Sequence, residues 1–211
     1  MSLRVTPIPW QAVTIFFLSV AEISAADAPK TFAWNPPKVT HSQFSSELGM
    51  LDSERDAYAT NLADQAAKQV VTAQASPESL ADARRMIAVA FHLSPRNKRA
   101  IVVNFQLSKS LLPEISEGNY SPQVLARLLL SRGQLLEKQG GDENKRLARC
   151  FVQLASNMDP KNDDAVYASE IHRLDRGPLD WSTITDCPEK KPEPSEPAMP
   201  NPPAPRRPMP P

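Results

Sequence analysis

Ala83-Arg84-x5-Ala90-x4-Pro95-x-Asn97-x2-Ala100 recurs without a gap as Ala148-Arg149-x5-Ala155-x4-Pro160-x-Asn162-x2-Ala165, 65 residues further along the chain. The same offset pairs Gln74 with Gln139 and Glu78 with Glu143, giving eight identities between 74–100 and 139–165. Unrelated stretches would share about two at ordinary residue frequencies. It also lays Val70 and Val71 onto Leu135 and Leu136. The pattern reads as an internal duplication of helical units, and an internal repeat constrains the fold more than any local signal.

The chain has 211 residues with 24 Lys+Arg against 24 Asp+Glu. This balance supplies no global field for nucleic acid or an anionic membrane. Proline is concentrated at the C-terminal end, and 78–112 holds only Pro95. Few large aromatics are present, so the core must come from Ala, Leu, Val and Ile, as suits closely packed helices. With both ends set aside, enough chain remains for one domain.

Residues 1–26 read as an export signal: Arg4, an apolar run from Trp10 to Ala21, then Ser24-Ala25-Ala26, with Asp27 as the mature N-terminus. The run is broken by Gln11, Thr14 and Ser19 and is shorter than the roughly 20 residues of a spanning helix, so no stable membrane span is expected after its removal. A periplasmic or extracellular location follows. Residues 27–44, with Pro29, Pro36 and Pro37, form an extended lead-in, because each proline denies helix to its predecessor. Phe32 and Trp34 are expected to fold back onto the domain.

The helical domain is read over 45–186 as six main helices in two three-helix units, about 52–112 and 117–177. Tyr58, Leu62, Ala66 and Val70 form one i,i+4 row of the first helix, beside Ala59, Ala63, Ala67 and Val71. Ser76-Pro77 opens the second helix, with Ser76 as N-cap and inward Leu80, Ala83, Ile87, Ala90 and Phe91. Pro95 closes it, and Asn97 can cap a third helix, which carries Ile101, Val102, Phe105 and Leu112 and stops before Pro113. Ser121-Pro122 opens the second unit. Leu125, Leu128, Leu129, Leu135 and Leu136 mark its first helix, which stops at Gly140-Gly141. Asp142 is expected to cap the fifth helix, bearing Leu147, Phe151, Val152, Leu154, Ala155 and Met158. The sixth turns Tyr167, Ile171 and Leu174 inward, and Leu179-Asp180-Trp181 is expected across the end of the stack.

Ala83, Ile87, Ala90 and Pro95, and again Ala148, Val152, Ala155 and Pro160, resemble the second helix of a tetratricopeptide repeat. Small alanines let neighbouring helices approach, and proline forces the corner. Gly133 looks like that family's small residue in the first helix. The chain departs from the family in lacking its first-helix Trp or Tyr and in repeating every 65 residues rather than about 34. The resemblance implies an all-α scaffold that binds a protein or peptide on the surface lined by the first helices. The matching positions are Gln65 and Gln69 in one unit and Arg127 and Gln134 in the other, with Leu130 as an exposed apolar residue. The bland alternative is that these are solvated helix faces.

His41, His92 and His172 are scattered, and no glycine-rich phosphate loop, nucleophile elbow or metal-ligand spacing is present. No catalytic residue, metal or cofactor is therefore expected. Arg96, Lys98 and Arg99 make one small basic corner and Lys145, Arg146 and Arg149 another, both interleaved with acids. Cys150 and Cys187 could bridge in an oxidising compartment, or Cys150 could simply be a small helix residue. The tail 187–211 cannot bury apolar surface and is expected to stay disordered or polyproline-like, reaching about 75 Å if extended. The expectation is an exported monomer that binds an unknown protein or peptide and no nucleic acid. The alternatives are a structural envelope module with a Pro-rich spacer and an enzyme of unrecognised type.

Overall fold

The computed structural model describes residues 32–44, 48–116 and 120–187. The expected export signal, the start of the lead-in and the Pro-rich tail lie outside these residues. Within them the chain is all-α apart from one short pairing. In order, the elements are β1 (Lys38–Val39), α1 (Asp52–Thr72), α2 (Pro77–Leu93), α3 (Lys98–Ser108), α4 (Pro122–Gln139), α5 (Asp142–Met158), α6 (Asp163–Arg176), α7 (Ser182–Thr185) and β2 (Asp186–Cys187). No helix among the described residues is long and apolar enough to cross a membrane.

Two antiparallel pairs dominate the packing, α1 on α2 and α4 on α5. The alanines explain the first: Ala59, Ala63, Ala66 and Ala67 on α1 and Ala83 and Ala90 on α2 are wholly buried, so the two axes approach without side chains between them. Gly133 does the same for the second, lying on α5 where an added Cβ would come within 3.1 Å of Val152 Cγ2 and 3.2 Å of Ala148 O. The pairs meet through Tyr58 and Phe151, stacked with ring centroids 5.3 Å apart, and through Arg132, which donates to Glu54 at 2.8 Å.

The two prolines that end α2 and α5 build the same corner. Ser94 (φ −143°, ψ 91°) and Asp159 (φ −134°, ψ 77°) leave their helices in nearly the same conformation, their amides bonded to Ala90 O and Ala155 O. Asn97 N–H then donates to Ser94 O, and Asn162 N–H to Asp159 O, both at 3.0 Å. Each asparagine caps the next helix, Asn97 Oδ1 accepting from Ala100 N–H at 3.0 Å and Asn162 Oδ1 from Ala165 N–H at 3.2 Å. Upstream the register slips. The second helices end 158 − 93 = 65 residues apart, but the first helices end 139 − 72 = 67 apart, because a four-residue turn (73–76) follows α1 and only two glycines follow α4. The pairing of Val70 and Val71 with Leu135 and Leu136 is corrected accordingly: Val70 is buried whereas Leu135 is exposed. The 67-residue spacing instead sets Ala66 against Gly133, both small and buried at the helix crossing.

Other expectations are corrected at the periphery. Asp142 does not cap α5; Gly141 holds the N-cap position at φ 82° and ψ 149°, and Asp142 places its charge in the first turn. The third helices turn other faces inward than the apolar pattern suggests. Ile101, Val102 and Phe105 are exposed, and α3 buries Ala100, Val103 and Leu107 against α1; it ends at Ser108 rather than just before Pro113, which leaves the exposed Leu112 beyond the helix. On α6, Tyr167 and Leu174 are each 69% exposed, Ile171 is half-buried, and Ala165 and Ser169 face inward. A terminal helix has a neighbour on one side only, so polar anchors can outweigh side-chain volume in choosing that side. Arg99 to Asp64 at 2.5 Å anchors α3, and His172 to Glu137 at 2.9 Å anchors α6.

The lead-in and the segment after α6 close the described fold. Trp34 Nε1–H donates to Asn104 Oδ1 at 3.0 Å, so the lead-in folds back along α3. Leu179 and Trp181 pack on the core, with the Arg85 guanidinium 5.6 Å from the Trp181 ring centre. β1 and β2 then pair in parallel, Lys38 with Asp186 and Val39 with Cys187. Arg84 ties both strands of chain to α2, donating to Asn35 O at 2.9 Å and to Asp186 at 2.7 Å. The Arg84 contact holds the Asp186 carboxyl below its ordinary range.

Candidate functional site

The five residues that the resemblance singles out separate into two groups. Arg127, Leu130 and Gln134, at i, i+3 and i+7 on α4, share one face and line an open depression of about 500 Å³ together with Ser131. Its opposite wall is the second corner, Asp159, Lys161 and Asn162, and the first turn of α6 at Asp164. Arg127 and Gln134 are exposed. Leu130 is corrected from an exposed residue to a buried one, 7% exposed, so it forms an apolar floor. Gln65 and Gln69 stand apart. Both are half-buried on α1, Gln69 donates to Asp82 at 3.1 Å, and neither lines this depression.

The depression exists because α6 packs mainly on α5, which leaves this face of α4 uncovered. The equivalent face of α1, shifted by the two-residue slip, is Thr60, Ala63, Asp64 and Ala67. There α3 lies across it: the Asn97 amide donates to Asp56 at 2.9 Å and Thr60 at 2.8 Å, and Arg99 fills the remainder through Asp64. The Asn97 and Ser94 hydrogen bonds lower the pKa of the Asp56 carboxyl, so that anchor is charged. The open depression therefore carries Arg127 on the α4 wall and Lys161 among two carboxylates, Asp159 and Asp164, on the other, around one apolar side chain. Such a surface can pair with charges of both signs and accept a single apolar side chain, as an extended peptide requires.

Elsewhere the structure contains groups that sequence reading missed. His92 is wholly buried at the end of α2. Its Nδ1 accepts from the Gln43 amide at 3.2 Å, so its Nε2–H donates to Ile184 O at 2.8 Å, and burial lowers the pKa of the ring. His92 thus joins the lead-in to α7 as a neutral imidazole. Arg55 is also buried, with Nε–H donated to Leu93 O at 3.0 Å. No local signal marks either residue, since the partners of His92 lie 49 and 92 positions away. Cys150 and Cys187 are free thiols, which corrects the bridged reading. Burial pushes the Cys150 thiol up to about 12, whereas Cys187 lies among polar side chains at the β1–β2 edge. Among the described residues, no three His, Cys, Asp or Glu side chains converge as metal ligands would.

Among the described residues the geometry defines an all-α protein with an open depression between α4 and the corner that precedes α6. No family model, curated protein or solved structure matches the chain.

Proposed function

We propose that the chain is an exported, divergent tetratricopeptide-like scaffold that binds an extended peptide segment of a partner protein on α4. The observation that carries this reading is the depression bounded by Arg127, Leu130, Gln134 and the Asp159–Asp164 corner. The matching corners at Pro95 and Pro160, and the small residues Ala66 and Gly133 at the two helix crossings, support the repeat relationship. The arm bearing Trp34 lies on α3, away from α4, so it does not occupy that face. Export rests on the order of charge, apolar run and small residues in 1–26.

The test is selection from a peptide library on the full chain, followed by calorimetric titration of the selected peptides. Arg127→Glu and Gln134→Ala are expected to weaken binding tenfold or more, about 1.4 kcal/mol, while Gln65→Ala leaves it unchanged. Equal affinity in all three variants would move the site off α4. A structural module is the second reading, favoured by the pairing of β1 with β2 and by Arg84, which holds the lead-in at Asn35 and the β2 strand at Asp186. It predicts that no peptide is selected at all.

A further inference from the structure

Cys187 is not a solitary thiol. His41 Nε2 lies 3.4 Å from Cys187 Sγ, and Gln43 Nε2–H donates to the same sulfur at 3.2 Å. The proton positions follow from the neighbouring bonds. Thr40 Oγ1–H is used in a bond to Cys187 O at 3.0 Å, so at its 3.2 Å contact with His41 Nδ1 the hydroxyl oxygen must accept. Nδ1 therefore carries the ring hydrogen, and Nε2 presents its lone pair to the thiol. His92, just behind, is fixed in the opposite tautomer by the Gln43 amide. A nucleophile, a base aimed at it and a third group orienting the base make the arrangement that activates a cysteine.

A second feature lies beside it. A depression of about 290 Å³ opens along His41, walled by Val39, Thr40, Phe91, Pro95 and Ile101. Cys187 is 8% exposed, and His41 is exposed. A small reagent can thus lie against His41 with its apolar part on Phe91 and Ile101, and Cys187 Sγ, which does not line the depression itself, sits 3.4 Å from His41 Nε2, while Cys150 is sealed within α5.

We propose that Cys187 is a reactive thiol that undergoes exchange with low-molecular-weight disulfides, with His41 as its base. In the step, the Cys187 thiol proton passes to His41 Nε2. The sulfur attacks one sulfur of the reagent, a new S–S bond forms, the old one breaks, and the departing half leaves as a thiolate with the electron pair. Cys187 is oxidised and half of the reagent is reduced, so no further redox partner is needed. The Gln43 N–H steadies the sulfur as charge develops.

The probe is dithiobis(nitrobenzoate), a coloured small disulfide, applied to the full chain at neutral pH. One equivalent of nitrothiobenzoate is expected in a fast phase, and a second only in guanidinium, when Cys150 is exposed. Cys187→Ser should abolish the fast phase. His41→Ala should slow it about tenfold or more, with the helical circular dichroism unchanged because His41 is exposed. A folded chain with no fast phase, a fast phase that survives Cys187→Ser, or one unchanged in His41→Ala would each overturn the assignment.

Discussion

The two helix trios share a corner and differ in what the third helix does after it. In both, proline ends the second helix and asparagine caps the third with the same hydrogen bonds. Yet α3 settles on α1, whereas α6 settles on α5 and reaches α4 only near its C-terminal end through His172 and Arg176 to Glu137. The consequence is local and large: one first-helix face is filled by Asn97 and Arg99, and the other is left as a depression. A conserved turn conformation is therefore not enough to fix where the next helix packs. The side chains that follow the cap decide it, and these differ completely: Lys98-Arg99 in one case, Asp163-Asp164 in the other. Arg99 finds Asp64 on α1, while Asp164, at the equivalent position, lines the open wall facing Ser131.

Three paired comparisons sharpen this contrast. The largest effect is expected at the helix crossing of the second trio. Gly133→Leu drives a side chain into Val152 and Ala148 O and should cost about 3 kcal/mol in denaturant unfolding. Ala66→Gly at the equivalent crossing of the first trio should cost only about 1 kcal/mol. A loss at Gly133→Leu no larger than that at Ala66→Gly would mean that α4 and α5 are not in close contact at Gly133.

Next comes the pair that fills the first face. Its side chains are 19% and 13% exposed, so Asp64→Ala leaves Arg99 largely covered without its carboxylate and should destabilise by about 2 kcal/mol. Ser131→Ala, the counterpart change in the open depression, should be close to neutral in the same unfolding experiment. Equal effects would show that α3 is not held by the ion pair.

The smallest effect is a pH dependence confined to the first trio. His92 has a folded pKa below its ordinary 6.5, so below that pH the unfolded chain binds the proton that the folded chain refuses. The stabilisation is complete above pH 6.5 and is lost as pH falls toward the folded pKa, by at most about 1.4 kcal/mol per pH unit. Position 157, its counterpart at the 65-residue spacing, is Asn157, which does not titrate. His92→Asn should therefore flatten the stability profile in this window; a slope that persists would assign it elsewhere. Asp56 and Asp186, whose carboxyls are held low, act only at more acid pH.

Much of this was legible before any coordinates. The i,i+4 rows of α1, the serine and asparagine caps and the proline stops placed the main helices close to their observed bounds, because each of these signals acts within about one turn of its own residue. The end of α3 is the exception, at Ser108 and not before Pro113. Arg127 and Gln134 could be placed on one face of α4 for the same reason. That Gln65 and Gln69 lie apart from them, half-buried on α1, could not be seen, because the turn after α1 has two more residues than the one after α4 and α3 covers the equivalent face of α1. The inward face of α6 differs from the expected one because Tyr167 and Leu174 are apolar, and burial of volume is the usual rule. That rule needs a neighbour, which this terminal face lacks among the described residues.

The sequence by itself determined where this chain is helical, where it must turn and which alanines and glycine let helices touch, all of which depend on bonds between near neighbours. The tertiary structure alone decided which first-helix face stays open, that His92 and Arg55 are buried, and that Cys187 meets His41 rather than Cys150. Those outcomes depend on contacts between residues up to 146 positions apart. A side chain has no preference for such a partner until the helices have already brought it near.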